Sequence, residues 1–198
     1  MNFSARSLAG VCSWWPIRWV LLLLLFACLQ GRSAYGGEME SRRIWAGVDL
    51  FPSLLAADLD IEGKCTPDGM LLLVLLYVDE KRAAEDMARH LLEINKIRGI
   101  PIRVEVSDDI TLKKYSDYPP AGVFLTQRIT QDLDPIIEFG KRHHILVFSP
   151  FEDDVKEGIP GGIIIRDRIL PYVNITTLRS SEIRIKEFFL RISKQYDP

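Results

Sequence analysis

The sequence predicts an α/β protein: a mainly parallel sheet flanked by helices, with an antiparallel edge hairpin and a closing helix near the carboxyl terminus. Three observations predict it. The run "LLLVLLYV", residues 71–78, is continuously apolar and short, as a strand buried on both faces of a parallel sheet is. A helical pattern and then an alternating strand follow at once, the order of a β-α-β unit. Strands and helices keep alternating as far as Ser149, after which two aliphatic arms around Asp167-Arg168 read as a hairpin.

Each element has its own signal. In "RRIWAGVDLFPSLLAAD", Val48, Phe51, Leu54, Leu55 and Leu59 share a helical period, and Pro52 suits an early turn. After the first strand, Ala84, Met87, Ala88, Leu91, Leu92 and Ile94 recur at helical spacing. Asp79 can cap that helix and Gly99 can end it. "IPIRVEV" alternates Ile100, Ile102, Val104 and Val106 as a strand. "SDDITLKKYSD" reads as a short helix or capped turn, "AGVFLT" and "HHILVFS" as strands, and "TQDLDPIIEFGKR" as a helix with Pro135 in its first turn. "PFEDDVKEGIPGG" reads as a loop. Pro171 cannot donate to a ladder, so the second hairpin arm, Ile169 to Ile175, is expected at the sheet edge. "SSEIRIKEFFLRIS" closes the chain as one helix with Ile183, Ile185, Phe188, Phe189 and Ile192 on its apolar face.

Residues 1–36 read as a secretory signal and 37–198 as a single domain. Arg6 and Arg18 precede the uncharged block Trp19 to Leu29, and Ala34-Tyr35-Gly36 offers small residues for cleavage after Gly36. The block is short for a membrane span, so no direct insertion is expected after cleavage. The alternative is a lipid anchor on Cys28, at the end of the lipobox-like "LFAC". Removing a leader with three arginines and no acid leaves 22 basic against 27 acidic residues, a balance that speaks against nucleic acid as partner. Cys12 and Cys28 fall in the leader and leave Cys65 alone, so no internal disulfide is expected.

Few residues suggest chemistry. His143-His144 is the one histidine pair, and neighbours entering a strand point to opposite faces; His90 lies on a helix. No metal site follows. Asp108-Asp109 and Glu152-Asp153-Asp154 follow strands, where capping and solvated charge account for them. Ser107, Thr126 and Ser149 end strands without a nucleophile elbow. Gly161-Gly162 precedes a strand, not a helix, and is read as a structural hinge with permissive backbone angles rather than a phosphate loop. No catalytic residue and no cofactor is assigned. Tyr172 and Asn174, on the expected edge strand, are the candidate partner-binding residues.

The segments Gly161-Gly162-Ile163-Ile164 and Tyr172-Val173-Asn174-Ile175, with a helical pattern around Ile185 to Ile192, resemble the carboxy-terminal signature of the YfiR-like periplasmic regulators; "HILVFS" and "GVFLTQ" sit where that family keeps its last parallel strands. The resemblance implies a periplasmic α/β protein without catalysis. Such proteins bind the periplasmic part of a membrane-bound signalling enzyme, typically a diguanylate cyclase, and can dimerise. The expectation is therefore a regulator of a membrane-bound cyclase or sensor kinase. The alternative is a small-ligand-binding module resembling one lobe of a transport binding protein.

Overall fold

The computed structural model describes residues 37–197; the expected signal, its cleavage site and Cys28 lie outside them. The chain divides into Met1–Glu40 and Ser41–Pro198. Of the first unit, residues 37–40 are helical. The fold below is that of the second.

The first helix (α1) covers residues 37–57, and Pro52 sits in its interior, not in an early turn. The missing N–H is tolerated because Val48, Phe51, Leu54 and Leu55 are buried in the main core. A single 3-10 turn, Ile61–Lys64, leads to β1, Leu71–Leu76, every residue of which is buried. Then come α2 (Lys81–Glu93), β2 (Lys96–Ile97), β3 (Ile100–Ser107), β4 (Gly122–Leu125), α3 (Asp134–His143) and β5 (Leu146–Ser149). The stretch read as a loop contains α4, Glu152–Glu157, whose first turn carries three acids at the positive helix end. After it come β6 (Gly161–Ile165), β7 (Ile169–Asn174), α5 (Ile175–Ser180), α6 (Glu187–Ile192) and β8 (Lys194–Tyr196).

The strands form one sheet in the order β2-β3-β1-β4-β5-β6-β7-β8. From β3 to β6 every pairing is parallel; β6–β7 is antiparallel and β7–β8 parallel. The α/β class with its antiparallel hairpin is thus as the sequence predicts. One face buries Leu71, Leu73, Leu75, Phe124 and Phe148 against α1 and α2. The other buries Val74, Val123 and Val147 against Ile136, Ile137 and Phe139 of α3.

Two expectations about the carboxyl end are corrected. The hairpin's second arm is not the edge, because β8 pairs with Tyr172 to Asn174. Pro171 is compatible with this: Asn174 donates its backbone N–H to Pro160 O (3.0 Å), so by alternation the Pro171 nitrogen points away from β6, and β8 begins only opposite Tyr172. The expected closing helix is helical only in its second half, α6; residues 181–186 are not helical. Ile183 and Ile185 alternate as an extended segment does, and this segment ties the end of α1: Leu59 donates to Arg184 O (2.8 Å), Lys186 donates to Ala57 O (2.9 Å), and Asp58 bridges Ile185. Asp60 binds the Arg184 guanidinium through both carboxylate oxygens. Beneath, the fully buried Asp58 carboxylate meets Lys64 Nζ at 2.5 Å.

The paired glycines are required for space. Neither has a positive φ, which corrects the permissive-hinge reading. A Cβ on Gly161 would lie 2.4 Å from Leu54 Cδ2 of α1; one on Gly162 would lie 2.3 Å from the Ser149 carbonyl oxygen and 2.7 Å from Val155 Cγ2 of α4. Leu54 can swing, but the β5 backbone cannot. Gly162→Ala should therefore cost about 2–3 kcal/mol in chemical denaturation, and Gly161→Ala clearly less. Equal, small losses at the two positions would show that β5 and β6 part easily.

Candidate functional site

An open α/β sheet binds ligands at the carboxyl ends of its strands, where the connections switch direction. Here that point lies between β1 and β4, and the chain's own groups fill it. Gln127 Oε1 accepts the backbone N–H groups of Val78 (3.1 Å), Asp79 (3.2 Å) and Glu80 (3.0 Å). Asp79 does not cap α2, whose N-cap residue is Glu80 and which has no side-chain cap; Gln127 instead pins the loop that leads into it. Nothing near residues 78–80 announces this contact, since the acceptor lies just past β4, more than forty residues on. Thr126 donates its hydroxyl to Leu76 O (2.8 Å), and Ser107 Oγ accepts from Asp109 N–H (3.2 Å). Asp109 in turn holds the 3-10 turn Lys113–Tyr115 by accepting from Thr111 N–H (3.0 Å) and Oγ1 (2.6 Å).

A second polar group lies at the end of β5. Ser149 Oγ donates to the Asp154 carboxylate (2.6 Å) and accepts Phe151 N–H (3.1 Å). Both side chains are buried. Burial pushes the Asp154 pKa up against the opposing Ser149 hydrogen bond and Arg128 charge. The Arg128 guanidinium lies over the Phe151 ring, 4.5 Å from its centroid. Glu152 is held below the usual carboxylate range by hydrogen bonds from Arg166 and Lys156.

The histidines do not gather. His143 ends α3 rather than entering a strand; burial, then Arg142 and His144, lowers its pKa. His144 takes a left-handed cap conformation and its Nδ1 meets Ser181 O at 2.9 Å. His90 meets Asp49 at 2.8 Å on the α1–α2 surface. Among the described residues no group of three or more His, Cys, Asp or Glu could hold a metal ion. Cys65 is a free thiol beside a cavity of about 350 Å³ at the amino-terminal side of the sheet, lined also by Lys64, His143, Tyr118 and Pro120.

Tyr172 and Asn174, the residues expected to meet a partner, point into the fold. Tyr172 is 4% exposed and packs with Val155 and Ile164. Asn174 caps α5: its Oδ1 accepts Thr177 N–H (2.9 Å) and its Nδ2 donates to Val155 O (2.8 Å). They are core and cap because β7 is interior, with α4 over this face.

Exposed apolar side chains occur instead on the last elements of the chain. Phe188 and Ile192, one turn apart on α6, are 54% and 56% exposed, and Ile169 at the start of β7 is 51% exposed. Ile192 lies two residues before Lys194, which pairs with Tyr172, so it sits alongside the beginning of β7. Ile169 alternates with Pro171 and Val173, and Val173 belongs to the α1 face, so Ile169 faces the same side as α6, whose Phe189 is buried there. A single helix read through Ile183 and Ile185, which are extended, puts Phe188 and Ile192 in the core.

No family model matches the sequence, and no curated protein does. Among solved structures the chain is similar to an ABC domain in complex with L-Trp from Streptococcus pneumonia, at 10% identity and a TM-score of 0.47. The match covers 72% of this chain and 61% of that one, so the chain spans about three fifths of that domain's length.

Two measurements check these assignments. Gln127→Ala frees three N–H groups of the loop before α2, two of them open to water, and should cost only about 0.5–1 kcal/mol in a denaturant melt, with Gln127→Glu losing less because it keeps an acceptor there. Asp154 is harder to ionise folded than unfolded, so its contribution is harmless below the ordinary carboxyl value of 3.8 and erodes stability as pH rises above it. Asp154→Asn keeps an acceptor for Ser149 and should gain on the native protein as the pH of the melt is raised from 3 to 7. A constant difference across that range would count against the raised pKa.

Proposed function

We propose that this protein is a non-enzymatic regulator that binds the periplasmic part of a membrane-bound signalling protein, of the diguanylate cyclase or sensor kinase type. The observation that carries the reading is the end of the sheet: Phe188 and Ile192, one turn apart on α6, stand exposed just before the end strand β8, and Ile169 of the neighbouring β7 is exposed too. Clustered exposed apolar groups mark interaction surfaces. The export pattern of residues 1–36 and the resemblance of the carboxyl half to periplasmic regulators favour the same partner class. The alternative, a small-ligand module, would use the switch point between β1 and β4. Its donors, however, are occupied by Gln127, and its hydroxyls by Leu76 O, Asp109 N–H and Asp154.

A photo-crosslinking residue placed at 188 tests the reading in cells that make the protein. Position 92, where Leu92 is 46% exposed on α2, serves as the control surface. The expected result is an adduct with an integral membrane protein from 188 and none from 92. No adduct from 188, or equal adducts from both, would overturn it.

A further inference from the structure

The open side of β8 has a definite chemistry. Asn174 directs its backbone N–H to Pro160, so Val173 directs its N–H and C=O to β8. In the parallel register Val173↔Gln195, the β8 residues that answer it are Lys194 and Tyr196, one on either side. Gln195 is therefore the residue whose backbone N–H and C=O face outward, unpaired by any strand of this sheet. Side chains alternate too. The Gln195 side chain turns to α6, its Nε2 donating to Leu190 O (3.0 Å). Tyr196 turns to the opposite face and its ring stands edge-on to Tyr172 at 6.3 Å. Lys194 shares the Tyr196 face and makes no ion pair among the described residues.

A strand laid beside β8 thus meets two surfaces. On the α6 side lie Phe188 and Ile192, both more than half exposed. On the other side lies the Lys194 ammonium. One hydrogen-bonding residue makes the backbone contribution small, so the side chains decide what binds. We infer that β8 accepts an extended segment of the partner in which apolar residues, facing α6, alternate with acidic residues, facing Lys194. This rests on the regulator reading and specifies how its partner docks.

The bland account is that a short edge strand bearing a lysine simply discourages pairing. A binding experiment separates the two. The full chain is titrated into a labelled eight-residue peptide of alternating valine and glutamate, with the valine–lysine counterpart as control, and anisotropy is read. The glutamate peptide should bind at least tenfold more tightly than the lysine peptide. Lys194→Glu should reverse that order, and Phe188→Ser should weaken both.

Gln195→Pro removes the outward N–H without touching the β7 ladder and should weaken binding about tenfold. Gln195→Ala, which keeps the N–H, should not, and matching melts for the two variants show that both are folded. Binding of neither peptide, or binding indifferent to Lys194→Glu and Gln195→Pro, overturns the proposal. So does a dimer in light scattering that Gln195→Pro dissociates, since a second copy then occupies the edge. A crosslink from 188 that survives Gln195→Pro leaves the regulator reading standing while strand addition fails; no crosslink in any variant removes the reading itself.

Discussion

The carboxyl third of this fold depends on a close approach at the start of β6. Two helices converge there from opposite faces: α1 brings Leu54 to within the reach of a Cβ on Gly161, and α4 brings Val155 to the same distance range on Gly162. The β5 carbonyl at Ser149 closes the second side with backbone, which cannot rotate away. A sheet strand normally holds its helices off by a side chain on each face. Here the strand has none at its first two positions, and both helices settle directly onto backbone. The last parallel strand is thereby fixed, and β7 registers against it from Gly161↔Val173 outward. Every element beyond, including the cap at Asn174 and the docking edge, takes its position from that register.

Legibility in the sequence followed the range of the forces involved. The apolar run of β1 and the 3.6-residue period of α2 are local, and they were readable because burial selects residue type element by element. So was Pro135 at the start of α3, where a missing N–H costs nothing. The segment 180–193 was misread for a physical reason. Ile183 and Ile185 alternate because that stretch pairs with the end of α1, whereas Phe189 obeys a helix; merging them produced one amphipathic helix and put Phe188 and Ile192 inside. Strand β8 has no signature of its own, since Lys194, Gln195 and Tyr196 are ordinary edge residues whose pairing is set by β7. The Gln127 contact is likewise long-range: nothing near residues 78–80 announces an acceptor just past β4.

For the candidate site, residue type was legible and orientation was not. Tyr172 and Asn174 carry the chemistry of an interface, an aromatic and an amide, but a tyrosine buried against Val155 and an asparagine spent on two hydrogen bonds have nothing left to offer a partner. A strand's partners decide which of its faces is covered. The addition of three residues, β8, converted an expected edge into an interior strand and moved the available surface one strand outward.

That displacement also limits what the exposed edge offers a pairing strand. Along β7 the outward positions before β8 are Ile169 and Pro171, and the proline has no N–H to give. On β8 only Gln195 presents a free donor and acceptor, flanked by residues already committed to β7. An approaching strand therefore gains about two backbone hydrogen bonds, worth roughly 0.5–1.5 kcal/mol each, which is too little to hold an arbitrary sequence against the cost of ordering it. Selectivity must come from what the added strand carries on its two faces. The apolar pair on α6 rewards one face and the Lys194 ammonium the other, so the same shortness that protects the edge from promiscuous pairing makes it discriminate among partners.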